Sequence, residues 1–431
     1  MKRIRAAFTV SLCALALGAA LAPGRAFAEE SLHDRAMRLH KSAIIVDTHE
    51  DVPEALEQAW ADISKRNAKG HVDIPRWREG GVTAPFLAAY VNAEFAKKSS
   101  GGSSKKALEF IDLIHRLVDA NPKDLVFADS VEGIRAAKRD SKIAILIGIE
   151  GGHAIEDSLG ALSAFQRLGV RYMTLTHTNT NDWADSSGNF FDSKFDPKTY
   201  AVHGGLTDFG RDVVREMNRL GILVDVSHVG EKTMADAIAA SKAPVFASHS
   251  SCRALSDIPR NVTDDQIRAI AKSGGVVMVN VSSLFLSQKS VDAYLASRKA
   301  VEPEVQEVQE RYKDDATKRD AELKKVREKI HYPDADWSTA VDHIERVMKI
   351  GGPQAVGLGT DFDGIDDPPA GLEDVSKLPR LTEELLRRGH SEDEVRGVLG
   401  ENFLRFWDRA EAARKAMEPR TEPLPFSKPA S

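Results

Sequence analysis

The stretch Ile44-Ile45-Val46-Asp47-Thr48-His49-Glu50-Asp51 decides how the fold of this chain is interpreted. Its three β-branched residues predict a buried strand at residues 43–46, which runs directly into acids grouped around one histidine. In an extended chain His49 and Asp51 project to the same side, because side chains alternate along a strand. One imidazole and one carboxylate at a strand end make half of a metal site.

Seven further short apolar segments follow, most of them ahead of a predicted helix. They are predicted as strands at residues 82–91, 143–149, 172–176, 222–226, 245–247, 276–281 and 355–359. Apolar runs without polar alternation are typical of parallel strands that are buried on both faces. Eight such units predict an α/β fold, the (β/α)8 or TIM barrel. An open doubly wound sheet is the alternative, but the sequence lacks the glycine-rich phosphate turn usual for that fold.

The alternation of strands and helices breaks once, in the long charged stretch 283–337. We interpret this stretch as a helical insertion between strands seven and eight. It belongs to one predicted barrel domain, residues 29–419. Residues 420–431 are polar and rich in proline, and they predict a flexible tail.

The N-terminus has the pattern of a secretion signal over residues 1–28. Basic residues at the start precede an apolar run at 6–22, and Ala26-Phe27-Ala28 is a cleavage site of the A-x-A type. An uncleaved anchor helix is the alternative, but the run is short and rich in alanine for a membrane span. We therefore expect an exported protein, periplasmic or secreted, without a membrane anchor after cleavage.

Charge and cysteine content argue against nucleic-acid binding and against an internal disulfide. The chain has 431 residues, a net charge of −6 and no basic block, which argues against nucleic-acid binding. Of its two cysteines, Cys13 lies in the predicted signal peptide, so Cys252 has no partner for an internal disulfide.

Side chains suited to metal binding and acid–base chemistry follow six of the eight predicted strands. They are His49 and Asp51, Glu150, His177, Asp225 with His228, His249 with Arg253, and Asp361 with Asp363. In a barrel these strand ends converge on one mouth, where the active sites of this fold lie. A single histidine at a strand end carries little weight, but this repetition predicts a site.

The ligand types indicate zinc or a similar divalent ion. The candidates are His49, Asp51, Glu150, His228 and His249. They exceed one tetrahedral site, so we predict two ions that share a carboxylate. Glu150, from a strand between the two groups of histidines, is the natural bridge.

Two assignments stay open on spacing alone. Arg253 suits a substrate carboxylate, but a salt bridge with Asp257 explains it equally well. Asp361 and Asp363 both follow the last strand, and their spacing does not show which one takes part in proton transfer.

Seven motifs together resemble the membrane (renal) dipeptidase family over residues 43 to 407. The motifs are Asp47-Thr48-His49-Glu50-Asp51, Gly148-Ile149-Glu150-Gly151, Leu175-Thr176-His177, Asp225-Val226-Ser227-His228, Ser248-His249-Ser250 with Arg253, Gly359-Thr360-Asp361-Phe362-Asp363-Gly364, and Gly371-Leu372-Glu373-Asp374-Val375. The resemblance implies a barrel metallopeptidase that uses two zinc ions and cleaves dipeptides, including some with a C-terminal D-residue. Family members are often dimers, so the resemblance also allows a homodimer.

The resemblance implies a role for each matched residue. His49 and Asp51 would bind one zinc, His228 and His249 the other, and Glu150 would bridge them. A metal-activated hydroxide would attack the peptide carbonyl.

The remaining roles concern substrate and proton transfer. His177 would contact the substrate and stabilise the tetrahedral oxyanion, Arg253 would hold the substrate's carboxylate, and Asp361 would carry the proton.

Glu50 departs from the family's pattern, and two rival functions are compatible with part of the sequence. Many members have Asn where Glu50 stands, which alters the charge beside the ligands. A binuclear metal amidohydrolase acting on a non-peptide amide or lactam would use the same ligands. A non-catalytic exported binder of metal or peptide is the third hypothesis, and the complete ligand set with Asp361 argues against it.

Overall fold

The computed structural model describes residues 30–96, 102–192 and 195–417. The predicted signal peptide at 1–28 and the predicted tail at 420–431 lie outside the described residues. Within the described ranges, no helix is both long enough and apolar enough to cross a membrane.

Parallel strands form the centre of the described structure. The strands are β1 Val46–Glu50, β2 Ala84–Tyr90, β3 Leu125–Phe127, β4 Ile143–Glu150, β5 Val170–Thr174, β6 Leu223–Asp225, β7 Val245–Phe246, β8 Val277–Val279 and β9 Val356–Leu358. Eight of them neighbour one another in the order β1-β2-β4-β5-β6-β7, with β9 and then β8 on the other side of β1. A bridge between Ala247 and Val277 joins β7 to β8. The predicted (β/α)8 barrel is confirmed. The short β3, which the sequence did not reveal, pairs with β4 off this ring.

Helices connect the strands. They are α1 Leu32–Ser42, α2 Val52–Gln58, α3 Ile74–Glu79, α4 Ser103–Ala120, α5 Val131–Arg139, α6 Leu159–Arg167, α7 Asp208–Leu220, α8 Glu231–Ala240, α9 Asp264–Lys272, α10 Ser283–Leu286, α11 Gln288–Arg311, α12 Ala316–Arg327, α13 Ser338–Gly351, α14 Pro379–Arg387, α15 Glu392–Arg396 and α16 Asn402–Ala416. Their ends follow local chemistry. Thr263 and Gln266 form a capping box that starts α9, and Gly221 ends α7 in the left-handed conformation, with a φ of 77°.

The first strand lies further along the chain than the sequence predicts. The prediction was 43–46, but β1 begins at Val46 and continues through His49 to Glu50, buried throughout. Two of the acids that suggested a strand end have hydrogen-bond partners inside the structure. Asp47 accepts hydrogen bonds from the Thr360 backbone and hydroxyl at 2.8 and 2.5 Å, and Glu50 accepts one from the Trp77 indole at 2.9 Å. Such pairing allows carboxyl groups to stay in a buried strand.

An aromatic cluster fills the end of the barrel at which the strands begin. The Phe86 ring centroid lies 5.3 Å from that of Tyr172, 5.5 Å from Phe403 and 5.9 Å from Trp407. Phe86 and Tyr172 come from strands, and Phe403 and Trp407 come from α16. The C-terminal helix therefore closes this end with apolar side chains, and polar chemistry is confined to the opposite end.

The stretch 283–337 contains α10, α11 and α12, between β8 and α13. Most of the side chains of α11 and α12 are at least partly exposed, as their charge predicts. The base of the segment differs, because Leu284, Phe285 and Tyr294 are buried against the mouth of the barrel. The segment therefore has an apolar contact with the rest of the protein that its charge pattern concealed.

Removing the central ring of the aromatic cluster should destabilise the fold. We expect Phe86→Ala to lower the free energy of unfolding by about 3 to 5 kcal/mol, because a fully buried ring is lost and a cavity is left. Leu108→Ala, at a side chain that is 44 % exposed on α4, is the matched control and should change it by about 0.5 kcal/mol or less. Denaturant unfolding measures both. Equal losses would contradict the assignment of Phe86 to the core.

Candidate active site and metal centre

The side chains predicted to bind metal meet where the barrel strands end. His49 lies in β1, and Asp51 follows it at the start of α2. Glu150 is the last residue of β4. His228 and His249 lie in the loops that follow β6 and β7. All five are buried, so the structure brings together residues that are up to two hundred positions apart in the chain.

Glu150 stands between two groups of histidine nitrogens. Its Oε1 lies 2.8 Å from Nε2 of His228 and 3.2 Å from Nε2 of His249. Its Oε2 lies 3.6 Å from Nε2 of His49, which is 3.3 Å from Oδ2 of Asp51. Each carboxylate oxygen therefore faces a different group, which is the arrangement of a bridging ligand.

The residues present fit divalent metal ions. Three sets of potential ligand atoms lie within 4.8 Å of one another: His49 with Glu150 and His249, Glu150 with His177 and His228, and His49 with Asp51 and Asp361. Among the described residues, Nε2 of His49 and Oδ1 of Asp51 are buried atoms without a hydrogen-bond partner. Buried polar atoms normally have partners, and imidazole and carboxylate donors suit zinc-like ions.

Burial and neighbouring charges set the protonation of this cluster. Burial alone would raise the pKa of Glu150, but His177, His49 and His228 hold it well below its usual value. Burial lowers the pKa of His228 and of His249 well below the ordinary value of histidine. An ionised carboxylate and neutral imidazoles are the forms that bind metal ions, and these shifts give those forms to Glu150, His228 and His249.

Polar groups behind the ligands orient two of the imidazoles. Nδ1 of His49 contacts the Tyr172 hydroxyl at 2.7 Å. Ser248 donates its hydroxyl hydrogen to Asp225 at 2.6 Å, so its oxygen accepts from Nδ1 of His249 at 2.7 Å. That bond leaves the lone pair of the His249 Nε2 facing Glu150. Such supporting contacts fix the ring and tautomer of a metal ligand.

Tyr172 is a supporting residue that the sequence analysis missed. Its ring lies over Gly148, where a Cβ atom would overlap the Tyr172 ring. A tyrosine within a predicted apolar strand is normally assigned to the hydrophobic core. Only the contact with His49 shows that Tyr172 also orients a candidate metal ligand. The glycine of the quoted Gly148-Ile149-Glu150-Gly151 motif was the one available signal.

Two site residues have backbone conformations that are unusual for non-glycine residues. His228 has a φ of 64° and Asp361 a φ of 68°. The backbone carbonyl of His228 accepts hydrogen bonds from Ser187 and Thr176, and the backbone N–H of Asp361 donates to the carbonyl of His49 at 3.0 Å. A left-handed residue of this kind costs about 1 kcal/mol or more, and it persists where surrounding contacts enforce it.

The structure separates the two carboxylates that follow the last strand. Oδ1 of Asp361 lies 3.8 Å from Nε2 of His49, and its Oδ2 accepts a hydrogen bond from the Asn280 side chain at 2.6 Å. Asp363 instead accepts from the backbone of His71 at 2.6 Å. Asn280 directly follows β8, one of the strand ends to which the sequence analysis assigned no group, and an amide there was overlooked as a site residue.

The arginine that faces the site is Arg260, and the structure does not bring Arg253 to it. The Arg253 guanidinium forms an ion pair with Glu231 and donates to the backbone carbonyls of Pro259 and Asn261, so its predicted partner Asp257 is not used either. The loop between β7 and α9 turns between the two arginines, which carries Arg253 outward. The sequence favours Arg253 because it lies nearer to His249 along the chain.

Arg260 is buried and lines the cavity beside the metal ligands. It donates to the carbonyl of His249 at 3.2 Å and contacts the Ser250 hydroxyl at 3.4 Å. Burial lowers its pKa to about 10, so it stays charged at neutral pH. Among the described residues no carboxylate forms an ion pair with it, which leaves its charge available to a ligand.

A cavity of about 440 Å³ opens above the cluster. Its wall includes Asp51, Glu150, His177, His228 and Asp361, and this volume suits a small organic ligand. Burial lowers the pKa of His177 to about 4, so its imidazole is neutral.

Glu50 and Cys252 lie apart from the cavity. Glu50 points to Trp77, away from the metal ligands, as strand alternation predicts. Cys252 is buried, and its sulfur and backbone contact His343.

Comparisons with known proteins identify the family of this chain. A profile of the family "Membrane dipeptidase (Peptidase family M19)" matches residues 33–421. Dipeptidase 3 of Homo sapiens is 35 % identical over 403 residues, which cover 92 % of this chain and 71 % of the relative. A solved structure of the probable dipeptidase PvdM from Pseudomonas aeruginosa is 26 % identical, with a TM-score of 0.76 and coverage of 89 % of this chain and 99 % of that one. An amidohydrolase structure from the same organism is 27 % identical, with a TM-score of 0.64 and coverage of 87 % and 98 %.

Proposed function

The chain belongs to the membrane dipeptidase family, peptidase family M19, and is a metallo-dipeptidase, and from that premise we propose that it is an exported enzyme that uses two zinc ions to hydrolyse dipeptides with a free C-terminal carboxylate. The observation that carries the proposal is the position of Glu150, whose Oε1 faces His228 and His249 and whose Oε2 faces His49, at the floor of a cavity.

The ligand set divides into two halves. His49 and Asp51 would hold one ion, His228 and His249 the other, and Glu150 would bind both. When bound, the ions would polarise the peptide carbonyl and make water nucleophilic at neutral pH.

Arg260 would recognise the substrate's carboxylate. Its guanidinium is charged, buried on the cavity wall and without an ion pair among the described residues. A planar guanidinium binds a carboxylate through two parallel hydrogen bonds. An arginine at a fixed place beside the metal ligands limits how much chain fits between the attacked carbonyl and the terminal carboxylate, which favours dipeptides.

His177 and Asp361 have the positions needed for the remaining steps. The Nε2 of the neutral His177 lies on the cavity side, 3.9 Å from Glu150. When Thr178 donates to Nδ1, the ring proton sits on Nε2 and can stabilise an oxyanion. Asp361 has one oxygen held by Asn280 and the other turned toward His49, so it can carry a proton from water to the leaving amine.

A substrate panel tests the proposal directly. The chain loaded with zinc should hydrolyse L-alanyl-L-alanine and should bind two zinc ions per chain, and chelation should abolish the activity. The proposal extends to a C-terminal D-residue, so L-alanyl-D-alanine belongs in the same panel. Hydrolysis of N-acyl amino acids or lactams without any dipeptide hydrolysis would contradict the proposal and favour another amidohydrolase reaction.

Replacing the proposed proton carrier should separate chemistry from metal binding. We expect Asp361→Asn to lower kcat about 100-fold or more, because the amide cannot take a proton from water. Its zinc content should stay at the level of the unmodified chain. Asp366→Asn, also on the cavity wall, is the matched control and should retain most of the activity. An Asp361→Asn variant with full activity would refute the role.

The ratio of kcat/KM for a dipeptide to kcat/KM for its C-terminal amide shows which of the two arginines binds the carboxylate. The unmodified chain should prefer a dipeptide to its C-terminal amide, because only the free carboxylate of the substrate can form an ion pair with Arg260. Arg260→Met should lower that preference about 30-fold or more, as expected when one partner of a buried charge pair is lost. Arg253→Met is the matched control and should leave the ratio of kcat/KM values unchanged. The opposite pattern would return the role to Arg253.

A further inference from the structure

The cavity has an apolar side that the catalytic steps do not use. Its lining includes, besides candidate metal ligands, the large apolar or aromatic side chains Phe190, Phe191, Leu284, Phe285, Tyr294 and Tyr332. We call these six residues the aromatic wall. Hydrolysis of a peptide bond requires none of them, so the reason for an apolar surface beside the metal centre lies in what the cavity holds.

The aromatic wall joins two distant parts of the chain. Phe190 and Phe191 belong to the loop after β5, whereas the other four come from the stretch 283–337. The Tyr294 ring centroid lies 6.1 Å from Phe190, 6.0 Å from Phe191 and 5.6 Å from Tyr332. These are ordinary separations for packed aromatic rings. The wall is therefore already assembled before a substrate arrives.

Hydrogen bonds hold the loop after β5 against α11. The Tyr294 hydroxyl donates to the backbone carbonyl of Phe191 at 3.3 Å. Arg298, one turn further along α11, donates to the carbonyl of Phe190 at 3.0 Å, and its guanidinium stacks 5.5 Å from the Tyr294 ring. A surface held in place in this way loses little conformational entropy on binding.

The wall adjoins the arginine assigned to the substrate's carboxylate. The guanidinium carbon of Arg260 lies 5.2 Å from the Phe285 ring centroid. A carboxylate held by Arg260 brings the Cα of the C-terminal residue, and so its side chain, to this side. The ammonium group of the substrate favours the carboxylate of Glu54, which lines the cavity on α2.

We propose that the aromatic wall is the specificity surface for the C-terminal residue, and that the enzyme prefers dipeptides in which that residue has a large apolar side chain, above all an aromatic one. The proposal rests on the proposed dipeptidase function. It assigns to the base of the stretch 283–337 a part in substrate selection.

The expected preference follows from the area that a substrate side chain removes from water. Full burial of a phenylalanine side chain is worth about 1.5 to 3 kcal/mol relative to exposure, and pockets that sort apolar side chains by size discriminate about 10- to 200-fold. We therefore expect kcat/KM for L-alanyl-L-phenylalanine to exceed that for L-alanyl-L-alanine about tenfold or more. The preference should be absent for L-phenylalanyl-L-alanine, which carries the ring at the other end.

The experiment compares these three dipeptides in the zinc-loaded full chain and in three variants. Tyr294→Ala removes the ring at the centre of the wall and should reduce the phenylalanine-to-alanine ratio at least fivefold. Tyr294→Phe keeps the ring and should keep the ratio within about twofold. Tyr312→Ala removes an aromatic side chain from the residue that follows α11, outside the cavity lining, and is the matched control. Because each ratio is taken within one preparation, partial misfolding or incomplete metal loading cancels.

Each outcome bears on the proposal. A preference that is lost in Tyr294→Ala and kept in the other two variants supports it. Equal kcat/KM for the two alanyl dipeptides overturns it and leaves the dipeptidase function intact. A preference that survives in Tyr294→Ala shows that the wall is not the selecting surface. Stronger hydrolysis of L-phenylalanyl-L-alanine overturns the assignment to the C-terminal residue. Hydrolysis of no dipeptide defeats the proposed function itself, which is a distinct result.

Discussion

The carboxylate of Glu150 is the group on which the rest of the site depends. It is buried, with Oε1 turned toward His228 and His249 and Oε2 toward His49. A buried carboxylate without compensating groups costs several kcal/mol, so the imidazoles, or the ions that they bind, must accompany it. The end of β1, the end of β4 and the loops after β6 and β7 are therefore held to one another through a single side chain.

The apolar packing cluster and the candidate metal site lie at opposite ends of the barrel axis. At one end, rings from the strands and from α16 pack without polar groups. At the other end, the candidate metal ligands meet, and they come from β1, from the end of β4 and from the loops after β6 and β7. Tyr172 belongs to both regions, because its ring contacts Phe86 at 5.3 Å while its hydroxyl contacts His49 at 2.7 Å. The position of a metal ligand is thus set directly by the packing of the core, and a rigid scaffold of this kind is what a metal centre requires.

The barrel and the loops contribute different parts of the cavity in this member of the membrane dipeptidase family. The strand ends supply the groups that would bind metal and move protons. Side chains from the loop after β5 and from 283–337 supply the apolar side, and Arg260 lies at the boundary between the two. This division is physically reasonable, because loops can change without disturbing the barrel's hydrogen-bonded strands.

The eight-stranded barrel and the candidate metal ligands that meet at its mouth could be predicted from the sequence, because apolar runs and the groups that follow them are local properties of the chain. Tertiary structure decided what depends on distant contacts. Tyr172 and His49 are 123 positions apart, so their contact leaves no local pattern. Arg253 and Arg260 follow the same strand, and only the loop's hydrogen bonds show which one turns inward. The true extent of β1 was likewise hidden, because its buried Asp47 is satisfied by Thr360, 313 positions away. The sequence shows which chemical groups are available to a site, but tertiary packing decides which of them point into it.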